Sequence, residues 1–205
     1  MIWLGIVLLS YLRGSVPSGY LVAKSHGIDI RQHGSGNIGA TNVLRVMGKK
    51  WGYFVFACDV LKGFLAVKLA IALATAGHAN VVLGAVLGAI ACILGHNYTV
   101  WLRFKGGKGV ATSAGVLLGL FPPTVILAML IIWLAVFFVG RYVSLASICA
   151  ALSLPVTVSL LVTRSGSDFW LLFWFSVAIA ALAVWRHRSN LARLANGTES
   201  RFTRK

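Results

Sequence analysis

The chain has 205 residues, 59% of them hydrophobic and 11% charged, with a mean hydropathy of +0.86. Soluble globular domains run near one-half apolar and about one-quarter charged, so that class is excluded. Nineteen Lys and Arg against four Asp and Glu give a formal charge of +15, but the basic residues alternate with apolar runs that no nucleic-acid module carries. The surplus instead suits the positive-inside rule and anionic headgroups, so the lipid bilayer, and no nucleic acid, is the expected partner.

A hydrocarbon core of about 30 Å needs roughly 20 apolar residues as helix. The first such run covers about 2–22. It has no basic n-region and no small-x-small cleavage site, so Met1 to Leu12 reads as a retained span and not a signal peptide. Next comes the polar stretch Ile30 to Arg45, with Gly34, Gly36 and Gly39 among Ser35, Asn37, Thr41 and Asn42. Glycines let backbone approach a ligand closely, short polar side chains supply hydrogen bonds, and Arg45 can grip an anion bidentately. An ordinary turn between helices rarely carries so many polar groups, so ligand binding is expected here.

The second and third runs cover about 52–75 and 80–102. Asp59 and Lys62 stand three apart inside the former, where charge is costly unless paired or turned to a polar cavity. A structural ion pair and a substrate-site pair remain equal alternatives. His96 sits near the cytosolic end of the third run, one turn before Arg103-Phe104-Lys105-Gly106-Gly107-Lys108-Gly109. Glycines and lysines directly ahead of a helix make an anion site from exposed amides and the positive end of the helix dipole. No Gly-Lys-Ser or Gly-Lys-Thr occurs, so a Walker A loop is ruled out.

As one helix, 110–140 would be about 46 Å long, too long without steep tilt. Pro122-Pro123 removes two backbone donors in its middle. Two short helices, about 110–121 and 124–140, are therefore expected. Arg141-Tyr142-Val143-Ser144 opens a run over 143–163, where an arginine and the Ser144 hydroxyl could complete a phosphate pocket. The last run, 169–186, leads into Arg186-His187-Arg188-Ser189-Asn190. His187 and Asn190 share one face if that helix continues past the membrane, and His187 could act as general base or substrate ligand. The stretch after Leu194 reads as loosely ordered.

This makes seven transmembrane segments, two of them short, in an all-α polytopic membrane bundle forming a single domain over 1–205. With seven, residues 24–50, 103–109, Arg141 and the tail from Arg186 share one side and carry fifteen of the nineteen basic residues. The opposite connections carry only Arg164. An outside N-terminus and a cytosolic C-terminus follow. Cys58, Cys92 and Cys149 lie singly in apolar runs, and acidic residues are few, so neither a disulfide framework, a metal site nor a cofactor is expected.

In this order and spacing the motifs resemble one family, the bacterial acyl-phosphate:glycerol-3-phosphate acyltransferases (PlsY). The likeness runs from Ser35-Gly36-Asn37 through Arg45, then Gly95-His96 with Phe104 to Gly109, Arg141 to Ser144, His187 to Asn190 and Gly197-Thr198-Glu199. One departure is Thr99, where the family usually has Pro. The resemblance implies acyl transfer from acyl phosphate to glycerol 3-phosphate, giving lysophosphatidic acid and phosphate at the cytosolic face of the bacterial inner membrane. It implies catalytic roles for Ser35, Arg45, His187 and Asn190. Asn37, Thr41, Asn42, His96, Lys105, Lys108, Ser144 and a phosphate loop of Gly106, Gly107 and Gly109 would bind substrate, and Glu199 would hold the tail. An enzyme that supplies acyl phosphate would be the protein partner.

Direct transfer is expected, because an acyl phosphate has a good leaving group and no carboxylate stands near Ser35 in sequence to complete a triad. A covalent acyl-Ser35 intermediate is the competing route. Whether His187 or a substrate phosphate takes the proton stays open. A transporter of phosphate-bearing anions is the rival class, against which stands the lack of any inverted repeat.

Overall fold

A computed structural model of the chain describes residues 1–163 and 166–202, and every regular element among them is helical. Two compact units divide it, Met1–Leu120 and Phe121–Lys205. Arg164, the lone basic residue expected opposite the others, lies outside the described residues.

In the first unit the run expected over 2–22 is two helices, α1 (Ile2–Ser15) and α2 (Ser18–Ser25). Pro17 has no N–H for a continuing ladder and holds Val16 out of the helical region, at ψ 113°. The polar stretch that follows contains a 3-10 turn, Ile30–Gln32, and a helix not foreseen there, α3 (Ala40–Met47). Then come α4 (Lys49–Ala76) and α5 (Val81–Asn97). α5 stops five residues before the expected end at 102. The buried Thr99 donates its hydroxyl to Ser15 O at 2.6 Å, and a second 3-10 turn, Val100–Leu102, follows. Proline at position 99 could not make that bond.

α6 (Val110–Leu120) closes the unit. α1 packs on α5, and α4 packs on both α5 and α6. A Cβ at Gly63 would strike Thr112 O, and one at Gly115 would strike Val60 O. Such small residues let two helix backbones touch, which is how apolar helices associate without a hydrophobic drive between them. Beneath the polar stretch, buried Ile30, Ile38 and Val43 pack with Ala23, Val55 and Leu102. Burial of each isoleucine stabilises this anchor by about 1.5–3 kcal/mol.

In the second unit α7 (Pro123–Gly140) starts with Pro123 at its first position, where the missing N–H costs nothing. The break at Pro122-Pro123 is the one expected. α8 (Val143–Leu161) tolerates Pro155 in its interior, with Thr157 Oγ1 bonded back to Ser153 O at 2.9 Å. α9 (Gly166–Arg186) ends at a bend, and α10 (Arg188–Ala195) follows. The last helix therefore does not run on straight past His187.

From Ala195 to Phe202 the chain is not loose. Thr198 and Glu199 N–H groups donate to Arg193 O, Arg201 Nε donates to Tyr142 Oη at 2.9 Å, and the Phe202 ring sits on Phe137. Composition suggested disorder, but Glu199 and Phe202 each find a partner in this unit.

Among the described residues, five stretches are long and apolar enough to cross a membrane: Ile2–Ser25, Val81–Leu102, α7, α8 and α9. α4 has 28 residues but carries Asp59, Lys62 and Lys68 within it. α6, at about 16 Å, is half the hydrocarbon thickness. Leu152, Val156 and Leu160 form an exposed stripe along α8, and Leu127, Leu130, Ile131 and Phe138 stand exposed on α7. Faces this apolar match hydrocarbon and not water.

Candidate active site

The first polar stretch is organised around Asn42, which is buried. Its Nδ2 donates to Asn37 O at 2.8 Å, His33 O at 3.0 Å and Ile30 O at 3.3 Å, while its Oδ1 accepts from Ser35 N at 2.8 Å. Asn42, expected to touch substrate, thus faces inward and ties the loop to itself. Asn37 is similarly engaged: its Oδ1 accepts from Gly39 N at 2.8 Å. The result holds Ser35 exposed at the loop's crest. α3 then places Thr41 and exposed Arg45 four apart, on one face.

Asp29 anchors the start of this stretch. Its carboxylate accepts from Arg31 N at 3.1 Å and pairs with the Arg31 guanidinium at 2.6 Å. The hydrogen bond from Arg31 is the main cause that lowers the Asp29 pKa to about 2. Arg31 lies over the Tyr20 ring and, with Trp101, Leu102, Arg103 and Lys105, lines a recess of about 410 Å³.

The second loop folds back along the end of α5. Phe104 N donates to Thr99 O at 2.9 Å, Gly106 N to Asn97 O at 3.2 Å and Gly107 N to His96 O at 3.1 Å. The amides of Gly106 and Gly107, expected to face phosphate, are therefore bonded to α5. These glycines serve close approach instead: a Cβ on Gly106 would overlap His96 O, and one on Gly107 would overlap His96 Nε2. Gly109 takes φ +82° to turn the chain into α6. The first N–H groups of α6, which have no acceptor within the helix, follow directly. Lys105 is exposed and Lys108 half-buried in this loop.

Behind it, Asp59 and Lys62 are buried together with His96. Lys62 Nζ lies 2.8 Å from Asp59 Oδ1 and 2.9 Å from His96 Nδ1. Asn97 and Thr112 were not foreseen as site residues. Asn97 Nδ2 and Oδ1 and Thr112 Oγ1 are buried and make no hydrogen bond, which in a folded protein asks for a reason. A polar residue directly after His96, at the end of an apolar run, was the one signal in sequence.

In the second unit His187 caps α10 and is buried. Its Nδ1 lies 2.8 Å from Ala183 O. A carbonyl has no proton to give, so Nδ1 is the donor, and in the neutral ring Nε2 carries the basic lone pair. Asn190 N donates to His187 O at 2.8 Å, so the two residues adjoin through the bend. Glu199 gathers Ser144 Oγ at 2.6 Å, Asn190 Nδ2 at 2.7 Å and Arg193 Nε at 2.8 Å. Burial opposes its ionisation, but these bonds and the Arg193 charge outweigh that and hold its carboxyl below the usual range. The Ser144 hydroxyl, expected to complete a phosphate pocket, is committed to this tether. Among the described residues no three His, Cys, Asp or Glu gather as a metal-ligand set.

Residues 4–197 match the family model described as glycerol-3-phosphate acyltransferase. A glycerol-3-phosphate acyltransferase of Desulforudis audaxviator is 47% identical over 97% of this chain and 94% of its own. One from Desulforamulus reducens is 48% identical over 98% and 95%, and one from Aquifex aeolicus 44% identical over 96% and 97%. The crystal structure of PlsY (YgiH), an integral membrane glycerol 3-phosphate acyltransferase, in its glycerol 3-phosphate form, superposes with TM-score 0.87 at 39% identity, covering 98% of this chain and 96% of that one. Its lysophosphatidic acid form gives 0.85 at the same identity, covering 98% and 95%.

Proposed function

The chain belongs to the glycerol-3-phosphate acyltransferase family, and from that membership we propose that it moves a fatty acyl group from acyl phosphate to glycerol 3-phosphate. It is an acyltransferase of the membrane. The observation that carries the donor assignment is the return of Arg103–Gly109 onto the end of α5. This sets two lysines and the start of α6 beside the buried His96. Both proposed substrates carry phosphate, and the first unit offers two loops with cations and exposed polar groups. The two forms of the PlsY structure hold a substrate and a product of this reaction, which supports the same assignment here.

In the reaction the glycerol hydroxyl oxygen attacks the acyl carbon and the carbon–oxygen bond to phosphate breaks. The products are 1-acyl-glycerol 3-phosphate and inorganic phosphate. Ser35, Arg45, Lys105 and Lys108 hold phosphate groups and offset the charge that develops on the acyl oxygen. The hydroxyl proton passes to His187 Nε2, whose lone pair the Ala183 contact preserves, and from there to the departing phosphate. Asn190 orients the hydroxyl. Asn37, Asn42 and Ser144 act by holding these groups in place. No cofactor or metal takes part.

The proposed setting is the bacterial inner membrane, with seven segments, an outside N-terminus and the reaction at the cytosolic face. Its support is the fifteen basic residues that this arrangement places on one side. An enzyme that makes acyl phosphate is the partner this chemistry requires. Turnover by the purified protein in lipidic mesophase tests the donor, with palmitoyl phosphate, acyl-CoA and acyl carrier protein run in parallel against labelled glycerol 3-phosphate. Product from palmitoyl phosphate alone is expected. Product from the thioesters alone would replace the donor.

A further inference from the structure

Lys62 lies in α4 and His96 in α5, 34 positions apart, and their side chains meet behind the Gly-rich loop. Lys62 Nζ donates to Val16 O at 2.8 Å and to His96 Nδ1 at 2.9 Å. Asp59 Oδ1 stands 2.8 Å from the same nitrogen, an ion pair by distance without the angle of a hydrogen bond. An opposite charge this close is what an ammonium group needs between apolar helices.

An ammonium group can only donate, so the ring nitrogen facing it must accept. A neutral imidazole has one N–H, and with Nδ1 accepting, that proton sits on Nε2. The Nε2 corner of the ring points at the loop. It is the atom that a Cβ on Gly107 would strike, with Cε1 and Cδ2 flanking at 3.0 and 3.1 Å. The Gly106 and Gly107 amides, bonded to Asn97 O and His96 O, hold the loop in register with the ring.

We propose that Asp59 and Lys62 are positioning residues: they lock His96 as its Nε2–H tautomer and aim that N–H at Gly106–Gly109, as a donor to the phosphate group held there. This rests on the reading of that loop as a phosphate site. His187 has the opposite arrangement, its Nδ1 donating to Ala183 O. One histidine is thus set to give a hydrogen bond and the other to take a proton. A pair that merely anchored α4 to the α1–α2 break through Val16 O would leave the His96 tautomer and turnover indifferent to its charge.

The test is ¹⁵N spectroscopy of the full chain in detergent, labelled at histidine, with His96 assigned through His96→Gln. The wild-type protein is expected to show Nδ1 unprotonated and Nε2 protonated, and inorganic phosphate is expected to shift the Nε2 signal. Replacing both charges together (Asp59→Asn with Lys62→Met) orphans neither in the interior, so the variant keeps a folded state. It is expected to lose the single tautomer and the response to phosphate. Its kcat should fall about 100-fold, as when one charge-stabilising donor is removed, with KM for glycerol 3-phosphate unchanged. A protonated Nδ1 in the wild type would overturn the proposal, as would a folded double variant with the wild-type tautomer, phosphate response and kcat. Failure of the wild type to use acyl phosphate would sink the reaction assigned above, while the His96 signals would still decide this point.

Discussion

Asn190 Nδ2 donates to Glu199 Oε1 at 2.7 Å, which turns the amide so that its oxygen faces away from the carboxylate. The same carboxylate accepts from Ser144 at the start of α8 and from Arg193 in α10. Glu199 therefore sets the direction of a residue assigned to substrate without needing to reach substrate itself. Replacing it with alanine leaves three donors without their acceptor. Glu199→Ala should lower stability by about 1.5–3 kcal/mol, as for bonds to a charged group. Turnover should fall by up to about 100-fold, as when a positioned group is displaced by roughly 1 Å. Thermal unfolding and initial rates check both, and an unchanged variant would remove the tether from the account.

Acid should loosen the same contacts. The Glu199 carboxyl is held below its ordinary value of 4.5 in the folded chain. Its contribution to stability is thus complete above that value and is lost as pH falls through the lowered one. Asp29 behaves likewise, in full above 3.8 and lost as pH falls through about 2. Unfolding midpoints of wild type and Glu199→Gln measured from pH 6 downward should converge below pH 4.5. Curves that stay parallel would contradict the assignment.

His187→Gln removes the basic nitrogen and keeps a similar shape. If His187 takes the hydroxyl proton, kcat should fall by about 10²- to 10⁴-fold, the usual worth of a positioned base. Near-normal turnover would leave the substrate phosphate as the proton acceptor.

Asn97 gives a different kind of forecast, because its buried amide makes no hydrogen bond. Substituting an unpaired polar group by an apolar one of similar shape is neutral or stabilising. Asn97→Leu should therefore hold or raise the unfolding midpoint while lowering kcat/KM, since Oδ1 lies beside Gly109 of the loop. A variant that loses stability and keeps activity would show that the amide is structural.

Asn42 should show the reverse balance. Asn42→Leu leaves Ser35 N–H and the Asn37 carbonyl without their partner, while the Ile30 and His33 carbonyls keep only their backbone donors. A loss of about 1–3 kcal/mol is expected from the orphaned groups. Activity should fall with it, because the crest that presents Ser35 is no longer held. Full activity at reduced stability would detach the loop's order from its function.

Where neighbours in sequence settle the matter, the residues could be read directly. Pro122-Pro123 had to end one helix and begin another, and both ends fall where that chemistry puts them. Pro17 carried the same message inside an apolar run, but hydropathy masked it and a single span was expected. The helical α3 was hidden for the opposite reason: Thr41 and Asn42 favour turns, and only packing of Val43 onto Ala23, Ile30 and Ile38 makes a helix worthwhile there.

The sequence by itself determined that this chain is built of apolar helices and carries two Gly-rich polar loops, because hydropathy and backbone freedom are properties of each residue and its near neighbours. Tertiary structure alone decided which polar groups meet. It joined Lys62 to His96 and Ser144 to Glu199, turned Asn42 inward, and bonded Gly106 and Gly107 to the end of α5. Most buried donors and acceptors had to find a partner, and the one that took the Thr99 hydroxyl, Ser15 O, stood 84 residues away along the chain.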